Sequence, residues 1–165
     1  MEIDVTEQHG LRLLRFGTPW CQGVMRLDAP DQLELEYAVR MFAWLLFHDP
    51  AKLPGKHLVT LGLGAGSLTR FAHRVLGMRA TAVEIEVRVI EACRTHFMLP
   101  PDGEGLQVVY ANAADFIATC AARTASMCCR WMHTTLASRS PRWTASPSTP
   151  AAAPACARAA PSPST

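Results

Sequence analysis

The stretch VTLGLGAGS, residues 59–67, places three glycines where a strand would give way to a helix. Gly62, Gly64 and Gly66 remove side chains, so a ligand can approach the backbone closely. The spacing is GxGxG followed by Ser67, whereas a dinucleotide-binding loop has glycine or alanine at that last position. Tight packing also selects glycines, so this pattern alone indicates a ligand site only weakly.

A carboxylate follows the glycine loop at a spacing typical of nucleotide-binding folds. Glu84 stands twenty-two residues after Gly62, at the end of the next predicted strand. A carboxylate beside the loop can accept both hydroxyls of a ribose. Asn112 follows a third predicted strand, where its amide could hydrogen-bond an adenine edge. A solvated charge at a strand end is the alternative for Glu84, but loop, strand and spacing together favour a nucleotide site.

The stretch SMCCRWMHTT, residues 126–135, carries cysteines, a histidine and methionines, which bind metals or change redox state. Its cysteines are adjacent, however, and the chain has no CxxC pair and no Cys/His set at zinc-finger intervals. His73, Cys93 and His96 lie on predicted helices, where packing or surface positions explain them. We therefore expect no metal site.

Alternating strands and helices must position the loop and its carboxylate. Compact apolar runs predict three strands, and apolar residues at three- and four-residue steps predict the helices that follow them. The predicted strands are 57–63, 80–85 and 106–110, and the predicted helices are 67–77, 86–97 and a third beginning at residue 113. This order favours a parallel α/β sheet with right-handed crossovers.

Two other elements precede this alternation. Within residues 1–30, LRLLRF and GVMRLD flank GTPWCQ, which predicts a β hairpin. Helical spacing then predicts a helix over residues 30–48, with Asp28 or Asp31 as its N-cap.

Charge and composition separate the end of the chain from the rest. All fourteen Asp and Glu lie at or before Asp115, whereas residues 119–165 hold five Arg and no acid. Ala, Ser, Thr and Pro fill 32 of those 47 positions, which leaves too little apolar side chain to offset the entropy of ordering. The arginines are scattered among few aromatic residues, which argues against nucleic-acid binding.

We expect three parts and a cytoplasmic protein without a membrane anchor. The longest apolar run, Met41–Phe47, is too short to cross a bilayer, and MEIDVTEQHG lacks the apolar core of a secretory signal. The expected parts are an N-terminal β segment at 1–30, an incomplete cofactor-binding α/β domain at 31–125 and a disordered tail at 126–165.

Together these segments resemble the spermidine synthase family, the aminopropyltransferases and their relatives within the class I AdoMet-dependent methyltransferase fold. The resemblance rests on GVMRLD, LELEYAVRMFAWLLF, LGLGAGS, VEIE and YANAADFI, and it covers about residues 10–125. Its most specific element is the combination of LGLGAGS with VEIE. It implies an α/β fold with a truncated Rossmann-like parallel sheet, a small N-terminal β segment and a disordered tail.

The resemblance also implies a cofactor site without a metal. Gly62, Gly64 and Gly66 would line the amino-acid end of decarboxylated AdoMet or AdoMet. Glu84 would hold the ribose. Asn112, at a position where the family usually has Asp, would face the adenine.

The activity implied is aminopropyl transfer from decarboxylated AdoMet to a small-molecule diamine such as putrescine. Tyr37 matches a substrate-site tyrosine of the family, although Ala-Val follows it where classical members carry His-Glu. This departure favours a spermidine synthase-like relative, and the family hints at a homodimer. An AdoMet-dependent methyltransferase and a non-catalytic nucleotide-binding domain are the alternatives.

A fourth strand, ending in a catalytic aspartate, is expected from the family soon after residue 120, and no such strand is predicted here. The genetic code indicates why, because the third base of one codon and the first two of the next define a neighbouring frame. In that frame residues 127–134 read Val-Leu-x-x-Asp-Ala, followed by Tyr or His. We infer a reading-frame shift near residues 124–126, which leaves the chain without a catalytic carboxylate.

Overall fold

The structure, a computed structural model, describes residues 2–123 and 130–133. These residues contain two β sheets of different kinds. The strands of the first sheet are β1 Asp4–Gln8, β2 Leu11–Arg15 and β3 Cys21–Arg26. They are antiparallel in the order β1-β2-β3. The predicted hairpin is therefore confirmed as β2 and β3, and β1 adds a strand at its edge.

The second sheet is parallel and carries the glycine loop. Its strands are β4 His57–Leu61, β5 Arg79–Glu84, β6 Leu106–Tyr110 and β7 Arg130–His133, in the order β6-β5-β4-β7. The helices α2 Ser67–Arg70, α3 Val87–His96 and α4 Ala113–Arg123 follow the first three of these strands. Because the strands are parallel, their carboxyl ends share one edge, which confirms the predicted α/β arrangement. None of the helices between residues 2 and 123 is long and apolar enough to cross a membrane.

The helix predicted over residues 30–48 is much shorter in the structure. The α-helix α1 spans only Glu36–Met41, and a 3₁₀ helix, Ala43–Phe47, continues it. The residue before α1 is Leu35, whose side chain cannot accept a hydrogen bond from the first turn. The α-helix therefore begins at Glu36, six residues later than predicted, and it gives way to the narrower 3₁₀ helix after Met41.

Neither predicted cap residue caps this helix. The Asp28 carboxylate pairs with Arg26, at 2.8 Å between Oδ2 and Nη2. The Asp31 carboxylate faces Arg70 at 3.7 Å and Arg74 at 3.4 Å. Charged partners outside the helix thus take both carboxylates, which is why their spacing before the apolar stripe was misleading.

The helix after the glycine loop, predicted over 67–77, consists of an α-helical turn followed by a π-helical turn. α2 ends at Arg70 and passes into a π-helical turn, Phe71–Val75. Gly77 then leaves the helix with a φ of 63°. Wider turns of this kind recur inside helices at functional sites.

The expectation that the chain lacks a fourth strand is wrong. β7 pairs in parallel with β4, from Leu58 opposite Arg130 to Leu61 opposite His133. A parallel ladder joins backbone N–H and C=O groups, so a segment without an apolar pattern can still complete it. The remainder of the predicted disordered tail, 126–129 and 134–165, lies outside the described residues.

The N-terminal sheet packs directly on the glycine loop. Ala65 of the loop is buried in a cluster with Leu14, Met25 and Phe97. The Ser67 hydroxyl donates to the Val24 carbonyl at 3.0 Å. The sheet is therefore one wall of the loop's surroundings and not a separate lobe.

Gly23 of β3 makes the closest approach in this packing. A Cβ built on Gly23 would lie 2.4 Å from the Ala65 Cβ and 2.8 Å from its backbone nitrogen. We expect Gly23→Ala to lower the free energy of unfolding by about 1–3 kcal/mol, because the sheet and the loop must move apart. Gly103→Ala is the matched control, since a Cβ at Gly103 meets nothing within 4 Å. Urea unfolding gives the midpoint of each variant, and equal midpoints for the two variants would contradict this packing.

Candidate functional site

The glycine loop between β4 and α2 has a backbone that other residues rarely adopt. The φ angles of Gly62, Gly64 and Gly66 are 91°, 54° and 70°. These values lie in the left-handed region, where a Cβ is strained. At Gly66 the space is also tight, because a Cβ would lie 3.3 Å from the Leu99 side chain. The loop geometry therefore requires glycine for its shape as well as for access.

Glu84 reaches the loop through its carboxylate. Its Oε2 accepts the Leu63 N–H at 2.9 Å, and its Oε1 accepts the Ile85 and Glu86 N–H groups at 2.9 Å each. The structure thus brings the predicted carboxylate and the predicted loop together. A carboxylate has about four acceptor positions. With three of them taken by backbone donors, a ligand with two hydroxyls would have to replace one of these bonds.

Asn112 lies at the same edge of the sheet, on the neighbouring strand end. Glu84 pairs with Tyr110, and the Ala111 N–H donates to the Glu84 carbonyl at 3.0 Å. The Asn112 Oδ1 accepts the Ala114 N–H at 2.8 Å and so caps α4. The amide NH2 of this exposed side chain is then the group that can face a ligand.

Exposed apolar side chains flank Glu84 and were not identified from the sequence. Ile85 is 60% exposed, Val87 is 47% exposed and Tyr110 is 67% exposed. Val87 begins α3 on its exposed side, whereas Val89 is buried. Large apolar residues directly after a strand-end carboxylate are the signal that could have revealed them. They offer exposed apolar surface near the Glu84 carboxylate.

Tyr37, the predicted substrate residue, lies on α1. Its ring packs against a core cluster that includes Ala38 and Phe42. Burial raises the pKa of its hydroxyl, and the nearby Cys21 of β3 adds to the rise. Among the described residues, no hydrogen bond links Tyr37 to the loop or to Glu84, so its assignment to the substrate stays a prediction.

Arg70 was not identified as a candidate site residue from the sequence. It is fully buried, and its guanidinium donates to the carbonyls of Ala65, Phe97 and Pro30. Burial lowers the pKa of Arg70 to about 10, and the nearby Asp31 carboxylate opposes that effect. From the sequence, an arginine on a helix is expected at the surface. The carbonyl groups that accept its hydrogen bonds are identified only by the structure.

Cys93 supports the loop from α3. The interpretation of Cys93 as a packing residue is confirmed, since its side chain is fully buried in the core. Its Sγ also donates to the Gly64 carbonyl at 2.9 Å. Within residues 2–123 and 130–133, no group of three or more His, Cys, Asp and Glu side chains could hold a metal ion.

Comparison with known proteins finds that the chain is similar to polyamine aminopropyltransferases. The polyamine aminopropyltransferases of two Neisseria meningitidis strains are each 38% identical to the chain over 117 residues. That of Chromobacterium violaceum is 35% identical over the same length. These matches cover 70% of this chain and 43% of each relative, so the chain spans less than half of their length. No family model matches the chain.

Solved structures agree on the fold. A probable spermidine synthase from Corynebacterium glutamicum superposes with a TM-score of 0.56 at 20% identity, over 69% of this chain and 42% of that one. Human methyltransferase-like protein 13, solved in complex with SAH, superposes with a TM-score of 0.54 at 28% identity, over 61% and 47% of the two chains. The predicted Rossmann-like, methyltransferase-type sheet is therefore confirmed.

The buried environment of Cys93 predicts an inert thiol. Burial raises the pKa of Cys93 to about 12, so almost none of the reactive thiolate is present at pH 8. We expect iodoacetamide to modify Cys93 in the folded protein at least about a hundredfold more slowly than after unfolding in urea. Peptide mass spectrometry follows the reaction, with the partly exposed Cys21 as an internal control. Equal rates at Cys93 and Cys21 in the folded protein would show that the contact with Gly64 does not persist in solution.

Proposed function

Since the matched part of this chain is related to the polyamine aminopropyltransferases, we propose that it binds an adenosyl sulfonium compound at the glycine loop. The compound is decarboxylated AdoMet or AdoMet. In this proposal Gly62, Gly64 and Gly66 line the arm that carries the sulfonium, and Glu84 binds the ribose hydroxyls.

The observation that carries the proposal is the hydrogen bond between the Leu63 N–H and the Glu84 carboxylate, at 2.9 Å. It brings the glycine turn and the acidic strand end into direct contact, as one adenosyl group spanning both requires. A solvated strand-end charge would make no such contact. The carboxylate is also preorganised, because the Ile85 and Glu86 N–H groups hold its other oxygen.

The adenine would lie beyond the ribose, between Ile85 and Asn112. The exposed Ile85 side chain offers an apolar face against which a base can pack. Because the Asn112 Oδ1 already caps α4, its NH2 group would donate to a ring nitrogen of the adenine. An Asp at this position could only accept a hydrogen bond when ionised, so the contact would differ in direction.

Two variants test the ribose contact. Glu84→Gln keeps one acceptor oxygen but loses the charge, and we expect the affinity for S-adenosylhomocysteine to fall about tenfold or more, the size of one charge-assisted hydrogen bond. Glu86→Gln is the matched control, because that carboxylate pairs with Arg88 instead of the loop. Calorimetry measures both. An unchanged affinity for Glu84→Gln, or an equal loss in both variants, would remove Glu84 from the site.

The reaction of the family, aminopropyl transfer to putrescine, needs more than this donor site. The donor supplies the activated carbon next to its sulfonium, and the protein must align an amine with it and accept or orient the amine proton. No Asp or Glu follows Asp115, and β7 ends at His133 beside β4. We therefore propose that the chain keeps the donor site but lacks the carboxylate that serves the diamine.

An activity assay tests this second point. With decarboxylated AdoMet and putrescine, we expect the chain to form spermidine at a negligible rate, measured by chromatography of the products. The control is a protein expressed after restoring the frame near codons 124–126, which regains Val-Leu-x-x-Asp and should regain transfer. Spermidine formation by the unaltered chain at ordinary enzymatic rates, on the order of 1 s⁻¹ or more, would refute the proposal.

AdoMet-dependent methyl transfer is the second candidate, and the similarity to human methyltransferase-like protein 13 at 28% identity favours it. The two candidates differ in the donor that binds more tightly, AdoMet or its decarboxylated form. If neither donor shifts the melting temperature, a non-catalytic domain is the better description. The homodimer that the family suggests stays a prediction.

A further inference from the structure

Two successive carbonyl groups of the glycine loop are held from the core side by side chains of different elements. The Cys93 Sγ donates to the Gly64 carbonyl at 2.9 Å, and the Arg70 Nη1 donates to the Ala65 carbonyl at 2.9 Å. In a trans peptide the N–H points opposite to the C=O. Fixing the Gly64 carbonyl on the core side therefore turns the Ala65 N–H to the other side of the loop.

The Arg70 guanidinium does more than hold this carbonyl. Its Nη1 also donates to the Phe97 carbonyl at 2.6 Å, at the end of α3. Its Nη2 donates to the Pro30 carbonyl at 2.8 Å, in the segment that follows β3. The planar group thus joins the loop, the helix that carries Cys93 and the connection from the N-terminal sheet. A lysine ammonium cannot reproduce such a fork of donors.

We propose that Arg70, together with Cys93, is a positioning residue that sets the loop for the sulfonium-bearing arm of the ligand. The inference rests on the proposed function. Arg70 does not touch the ligand, since its side chain is fully buried behind the loop. It acts through the backbone from Gly64 to Gly66, whereas the Glu84 carboxylate, which would bind the ribose, contacts the loop at Leu63.

This division of labour separates two parts of one ligand. Adenosine carries the base and the ribose, which Glu84 and Asn112 would contact. S-adenosylhomocysteine adds the arm that lies along the loop. A change at Arg70 should therefore weaken the binding of S-adenosylhomocysteine and leave the binding of adenosine largely unaffected. A residue that only stabilises the fold would change both affinities together or neither.

The test compares the two ligands on the full chain by calorimetry. The variants are Arg70→Lys, which keeps the charge without the fork, and Arg70→Met, which removes both. Arg74→Met is the matched control, because Arg74 lies four residues further on, is partly exposed and pairs with Asp31. Thermal unfolding confirms that each variant is folded before binding is measured.

Cys93 provides a second, milder pair of variants, in case both Arg70 variants fail to fold. Cys93→Ser keeps a donor for the Gly64 carbonyl, and Cys93→Ala removes it. We expect Cys93→Ala to lower the affinity for S-adenosylhomocysteine but not that for adenosine. Cys93→Ser should retain most of the affinity that Cys93→Ala loses. Equal affinities in the two Cys93 variants would contradict a positioning role.

For Arg70→Lys and Arg70→Met we expect about tenfold or greater loss of S-adenosylhomocysteine affinity, with adenosine affinity within about twofold of the unaltered chain. Arg74→Met should leave both affinities unchanged. If the Arg70 variants change the affinities for both ligands equally, or change neither affinity, the positioning role is overturned while the proposed function stands. Failure of the unaltered chain to bind either ligand would overturn the proposed function, and this inference with it.

Discussion

The hydrogen bond from the Leu63 N–H to the Glu84 carboxylate is the constraint on which the described site depends. It closes the glycine loop against the neighbouring strand, so the end of β4 and the end of β5 share one charged group. Two more backbone N–H groups hold the same carboxylate, which fixes its direction before any ligand arrives. Because the strands are parallel, the contact needs only their register and the left-handed glycines between β4 and α2.

A buried cation supports this arrangement from behind. Taking the Arg70 guanidinium out of water is costly unless its donors are satisfied, and three backbone carbonyls and a nearby Asp31 carboxylate serve that purpose. Those acceptors belong to the loop, to α3 and to the segment after β3. The N-terminal sheet is therefore coupled to the loop by charge burial as well as by the close contact of Gly23 with Ala65.

The last described strand changes the interpretation of the end of the chain. No fourth strand was expected because residues after about 125 lack an apolar pattern, yet β7 pairs with β4. Backbone pairing and side-chain chemistry are separate properties, so a strand in the expected place does not restore a carboxylate. The curated relatives extend well beyond the matched region, and the neighbouring frame of residues 127–134 spells the apolar strand and aspartate that the resemblance implies.

The sequence by itself determined how the first three strands of the parallel sheet alternate with the helices that follow them, because apolar periodicity is a local property. It also determined the glycine loop and, from the spacing after that loop, its acidic partner Glu84. It also determined the family resemblance. Only the tertiary structure decided the late start of α1, the pairing of β7, and the positions of Arg70, Cys93 and Gly23 around the loop. These features depend on acceptors and neighbours far away along the chain: whether an aspartate caps a helix or pairs with an arginine is settled by what folding brings beside it.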